Sequence, residues 1–169
     1  MKAGGRFPHM KKLKVYVDTS VLGGCFEPEF APWSNGLVAD FRAGTFNPVL
    51  SALLEAELRR APESVRAIYS ELLALVGESI PVDDEALDLL AAYESHRVLG
   101  SKFRSDMLHI ALATVANVDV LVSWNFRHIV RFDKIRLFNA VNLEQGYRSL
   151  SIHSPREVTS YGTDANTRP

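Results

Sequence analysis

The chain has 169 residues, 47% of them hydrophobic, which suits one globular domain with a real core and is short for two. Its single cysteine, Cys25, excludes an intrachain disulfide, and a formal net charge of −1 argues neither for nor against a nucleic-acid partner. No apolar run is long enough to span a bilayer or to form a secretory signal core, so a cytosolic protein is expected.

The distribution of charge says more than its sum. Between Arg97 and Arg136 seven Lys and Arg face three acidic residues, whereas Glu78 to His96 holds six acidic residues and no basic one. A charged run is usually a solvated face, but a neutral protein with one basic side can hold a polyanion there.

Residues 1–10 have no hydrophobic periodicity and are set aside as a leader or cloning scar. Residues 13–17, Leu-Lys-Val-Tyr-Val, form an apolar, β-branched strand that Asp18-Thr19-Ser20 stops and Val21 to Gly24 turns away from. A carboxylate thus stands at the carboxyl end of a buried strand, the edge where open α/β sheets bind ligands. Asp18 as a simple turn cap is the plainer alternative. Trp33 to Ala43 carries Trp33, Leu37, Val38 and Phe41 at helical spacing, and Phe46 to Leu50 suits a second strand.

Ser51 is an N-cap for a helix running to about Arg60. At 100° per residue, Leu53, Leu54, Leu58 and Ala61 make an apolar stripe that includes Glu57 and leaves Glu55 at its margin. A buried carboxylate without a partner costs several kcal/mol, so Glu57 needs a cation, a hydrogen-bond network or a proton. Pairing with Arg60 or Arg66, or bending out to water, is the structural alternative.

Pro62 to Val76 is a further amphipathic helix closed by Gly77, and residues 79–82 suit a short strand. Asp83-Asp84-Glu85 starts a helix through Val98; a double aspartate also suits a phosphoacceptor receiver, but the later Asp and Lys of that arrangement are missing. Ser105 is the expected N-cap of a helix from Asp106 to Asn117, with His109 on nearly the same face as Asp106. Val118 to Ser123 is a second buried strand, and Trp124 to His128 leaves its carboxyl end as Asp18 leaves the first. Ile135 to Val141 reads as a last strand and Asn142 to Tyr147 as a short helix. Residues 11–150 are expected to form the single domain and 151–169 a flexible tail.

Four segments, Val17-Asp18-Thr19-Ser20-Val21-Leu22, Leu54-Glu55-Ala56-Glu57-Leu58, Ser105 to Ala113, and Leu121-Val122-Ser123-Trp124-Asn125-Phe126, fall in the order and spacing of a PIN domain. The chain resembles the VapC-type toxins of bacterial toxin–antitoxin pairs over about Leu13 to Val141. The resemblance implies a three-layer α/β/α sandwich around a parallel sheet and a Mg²⁺- or Mn²⁺-dependent nuclease. It implies Asp18, Glu57 and Asp106 as metal carboxylates, with Asn125 standing where the family usually has a fourth acid.

Three such carboxylates repel one another unless protonated or bridged by a hard cation, which would activate water for attack on a phosphodiester. Ser20 and Ser123 are expected as hydrogen-bond donors behind those acids, and Lys102, Arg104, Arg127 and His128 as phosphate contacts. The expected protein is an RNA-cleaving homodimer inhibited by a small antitoxin. A catalytically weakened RNA-binding or assembly module, or a DNA nuclease, is the alternative. A phosphatase with an Asp-x-Asp-x-Thr signature is disfavoured, because that signature needs a second acid at Ser20.

Overall fold

The computed structural model describes residues 11–76 and 79–160. The first strand, β1 (Lys14–Val17), is buried on both faces, which is why its apolar residues run on without alternating with polar ones. Successive side chains still point opposite ways: Tyr16 enters one core, Val15 and Val17 the other. With β2 (Asn47–Val49), β3 (Val120–Val122) and β4 (Ile152–His153) it forms a four-stranded sheet in the order β2-β1-β3-β4, parallel throughout. Pro48 is tolerated because β2 is an edge strand, where a missing N–H need not break a ladder.

Helices cover both faces. One layer holds α1 (Thr19–Gly24), α2 (Ala31–Arg42), α3 (Ala52–Leu58) and α4 (Glu63–Val76), whose Leu22, Leu37, Leu54 and Leu72 pack on Val15, Val17, Val120 and Val122. The other holds α5 (Asp84–Ser95), α6 (Arg104–Val115) and α7 (Phe132–Glu144), packed on Tyr16 and Leu121. The protein is therefore a three-layer α/β/α sandwich around a parallel sheet, the expected architecture.

Several local expectations are met for the physical reasons given. Ser51 accepts a hydrogen bond from Leu54 N–H at 3.1 Å and Asp83 one from Ala86 N–H at 2.9 Å, each satisfying a donor at a helix start. Cys25 is buried and unpaired. Gly77 and residues 1–10 lie outside the described residues.

Other expectations are corrected. Residues 135–141 are not a strand but the middle of α7. There Phe138 meets Tyr93 edge to face at 4.9 Å, and Asn142, one turn on, receives the Tyr93 hydroxyl and donates to Thr114 Oγ1 at 3.3 Å. The short run Ile-Arg-Leu-Phe fits either period, and burial of Phe138 and Val141 on one face decides for the helix. Residues 79–82 contribute only one bridge, Ser51 to Ile80. The tail expected from residue 151 instead supplies β4 and then α8 (Pro155–Val158), which packs on α2. Buried Asp40 of α2 accepts from Thr159 Oγ1 at 3.0 Å and Ser160 N–H at 2.9 Å. Residues 161–169 lie outside the described residues.

Candidate active site

Parallel strands all end at one edge, and β1 and β3 deliver their carboxyl ends side by side: Asp18 N–H reaches Val122 O at 3.4 Å. Asp18 is 5% exposed, its carboxylate gripped from both sides. Ser20 Oγ donates to one oxygen at 2.6 Å and Ser123 Oγ to the other at 2.5 Å. The same hydroxyls accept from the loop after β3, Ser20 from Trp124 N–H and Ser123 from Asn125 N–H, both at 2.9 Å. Both serines thus tie Asp18 to residues 123–125.

Glu57 has the partner its place on an apolar stripe demands, and it is neither Arg60 nor Arg66. Its carboxylate, about 30% exposed, accepts from Thr19 Oγ1, from Ser105 Oγ at 2.8 Å and from His109 Nε2 at 2.9 Å. His109, almost fully buried, reaches the Tyr16 hydroxyl with Nδ1 at 2.7 Å, and Tyr16 reaches Ser51 Oγ at 2.9 Å. A proton on Nε2 serves Glu57 whether the imidazole is neutral or charged. No described buried side-chain nitrogen or oxygen lacks a partner.

These partners set the two carboxyls apart electrostatically. Burial raises the pKa of Asp18 above its ordinary 3.8, although the field of His109 and the serine hydrogen bonds pull the other way. For Glu57 burial is outweighed by the hydrogen bond and charge of His109, then by Thr19 and Ser105, which bring it from 4.5 down to about 2. Tyr16 is pushed upward by burial.

The third acid comes from α6, which starts two residues earlier than expected, at Arg104 with Phe103 before it. Ser105 and Asp106 thereby fall inside the first turn. Ser105 does not cap the helix; its hydroxyl is the one spent on Glu57. Asp106 is partly exposed and lies 3.1 Å from His128 Nδ1, whose ring packs on Phe103 with centroids 3.7 Å apart. Asn125 Oδ1 is turned into its own loop, accepting from Arg127 N–H at 3.1 Å and His128 N–H at 2.9 Å. Lys102 Nζ lies 5.0 Å from the Phe103 ring centroid, and Arg104 pairs with Glu94 at 3.4 Å.

Hydroxyls on Thr19 and Ser105 therefore bridge the segments bearing all three acids, since Thr19 follows Asp18 and Ser105 precedes Asp106. Carboxylates among hydroxyls and an amide are hard oxygen donors of the kind that suits Mg²⁺ or Mn²⁺. Their spacing is another matter. Among the described residues no group of three or more His, Cys, Asp or Glu side chains is arranged to hold a metal ion, and each acid is hydrogen-bonded to a protein partner. The fit is one of donor chemistry, and an ion would have to displace hydroxyl contacts to be shared. Clefts of about 420 and 410 Å³ are lined by Glu94–Ser101 residues and by the start of α2, away from these acids.

Thr19, Tyr16 and Ser51 are not among the site residues expected from the sequence, and His109 is expected only on nearly the same face as Asp106. The available signal was the place of Glu57 on the apolar stripe of its helix, which called for a partner from another element.

The fold has solved counterparts. The crystal structure of VapBC2 from Rickettsia felis bound to a DNA fragment from their promoter matches at 14% identity and a TM-score of 0.53, covering 84% of this chain and 98% of that one. FitAcB from Neisseria gonorrhoeae matches at 15% identity and 0.56, covering 85% and 99%. No protein-family model matches the chain, and no curated protein sequence does. At these identities the likeness is one of fold.

Proposed function

We propose that this chain is the toxin of a toxin–antitoxin pair, an endoribonuclease that hydrolyses RNA with Mg²⁺ or Mn²⁺ held by Asp18, Glu57 and Asp106. The observation that carries the reading is the pair of hydroxyl bridges, Thr19 to Glu57 and Ser105 to Glu57, joining the three acid-bearing segments at one sheet edge. A bound ion would neutralise the acids and supply an activated water and charge stabilisation on the phosphate.

The chain's own residues do the remaining work. His109 orients Glu57, while Ser20 and Ser123 orient Asp18. Lys102, Arg104, Arg127 and His128 are the phosphate contacts in this reading. Asn125 brings no charge, and its carbonyl oxygen is already committed to two backbone N–H groups, so the site offers three negative charges. One tight metal in the absence of substrate follows, and Mn²⁺ titration of the free protein showing two equally tight sites would refute it.

The partner in this reading is a small antitoxin that covers the site of a homodimeric toxin; VapBC2 and FitAcB support it through their shared fold. A cytosolic setting accords with the finding that no described helix is long and apolar enough to cross a membrane.

The separation of the acids among their own hydrogen-bond partners favours one second reading, an RNA-binding module with weakened catalysis. Incubating total RNA and single-stranded DNA with Mg²⁺ or Mn²⁺ and the parent, Asp106→Ala or Asn125→Asp protein decides. RNA cleavage lost in Asp106→Ala supports the nuclease; binding without metal-stimulated cleavage supports the module; cleavage confined to DNA replaces the substrate. Cleavage unchanged by Asp18→Ala and Asp106→Ala overturns the assignment of the site.

A further inference from the structure

The loop that leaves β3 carries an aromatic pair that the acids do not explain. Trp124 is buried and fixed: its indole Nε1 donates to Ser34 Oγ at 2.8 Å, its backbone N–H to Ser20 Oγ, and its ring stacks on Phe30 with centroids 4.4 Å apart and planes 22° apart. Gly24 makes room for it, since a Cβ there would stand 2.7 Å from Trp124 Nε1. Phe126 rests against this fixed ring, centroids 6.1 Å apart at 60°, yet is 52% exposed.

Isolated exposed apolar residues are ordinary. Two features set this one apart. Asn125, between the two aromatics, locks the turn through its side-chain oxygen and through its backbone carbonyl, which accepts from Ile129 and Val130 N–H. Phe126 is therefore presented on a stiff loop, three residues from Ser123, the donor to Asp18. Next to it, Arg127 is exposed, and its guanidinium makes no hydrogen bond or ion pair among the described residues. A second aromatic with a cation, Phe103 under Lys102, lies across His128.

We propose that Phe126 is a base-stacking residue that makes this site select unpaired nucleotides, with Arg127 holding the adjoining phosphate. This rests on the nuclease reading and adds its substrate form. Every base has a π face, and aromatic platforms interleaved with cations are how single strands are held. In a duplex both faces of a base are covered by its neighbours, so a ring exposed on the loop that follows Ser123 can engage only a base that is splayed out. Phosphate contacts alone would not make that distinction.

The test measures binding without turnover. Fluorescence anisotropy of a labelled eight-nucleotide RNA, in EDTA, is compared with that of the same sequence as a duplex. The parent should prefer the single strand. Phe126→Ala should weaken its Kd by about fivefold to a hundredfold, the range for one stacked base. Phe126→Leu, which keeps an apolar contact on Trp124 and loses the π face, should bind as weakly as Phe126→Ala, and Phe126→Tyr should bind like the parent. Near-ultraviolet circular dichroism checks that each variant keeps its fold. Leu binding as tightly as Phe, or equal affinity for strand and duplex, overturns the proposal. If RNA cleavage remains dependent on Asp18 and Asp106 in that case, the nuclease reading survives; if the parent never cleaves RNA, that reading fails whatever Phe126 does.

Discussion

His109 Nε2 stands 2.9 Å from Glu57 Oε1, joining a buried imidazole to a carboxylate at the edge of the sheet. Removing the imidazole strips Glu57 of its main partner and leaves the Tyr16 hydroxyl facing a cavity. His109→Ala should therefore lose about 2–3 kcal/mol of unfolding free energy. Urea denaturation measures it, and a loss under about 0.5 kcal/mol would show that the contact is incidental.

The acid limb of stability should carry the mark of Glu57. Its folded-state pKa near 2 lies below its ordinary 4.5, so the folded protein binds fewer protons between these values. The stabilisation is present above about pH 4.5 and disappears as pH falls toward 2. Glu57→Gln lacks it, and the two stability curves should converge on acidification. Parallel curves from pH 6 to 2 would contradict this sign.

Asp18 has the opposite sign. Its pKa is raised by burial, so the ionised folded form carries a penalty at neutral pH that a proton relieves. Asp18→Asn should raise Tm by about 2–4 °C at pH 7, as about 1 kcal/mol does in a chain of this size. The advantage should shrink as pH falls and the parent takes up its proton. Thermal melts at two pH values check both halves.

Gly24→Ala should cost about 1–3 kcal/mol through overpacking, since the new methyl meets both Ser34 Oγ and the Trp124 ring within 3 Å. Tryptophan emission should shift as Trp124 is displaced. An unchanged Tm and spectrum would mean that the ring has room to yield.

Asn125→Asp should fold as well as the parent, because a carboxylate accepts from Arg127 and His128 N–H as readily as an amide oxygen does. Asn125→Ala should lose about 1 kcal/mol with those acceptor contacts. Equal Tm values for the parent and Asn125→Ala would rule out the capping role.

Much of the architecture was legible because β1 and β3 are continuous apolar runs that only a sheet covered on both faces would bury. What was not legible is instructive. Residues 135–141 are too few for their periodicity to separate strand from helix, and contact with Tyr93, far away in sequence, makes the choice. β4 is two residues long and becomes a strand only through pairing with Leu121 and Val122. The stripe on α3 announced that Glu57 needed a partner; that the partner is His109, from α6, is a tertiary fact with no local signature.

That last strand has a consequence for how the protein comes into being. β3 leads into Ser123 and the Trp124 to His128 loop, and among the described residues its outer flank is paired by β4, which follows every residue of the candidate site in sequence. During synthesis from the N-terminus the acids and their hydroxyl partners emerge well before that flank is filled. An unsupported β3 would leave the grip of Ser123 on Asp18 loose, so the candidate site takes its final geometry only once β4 has paired.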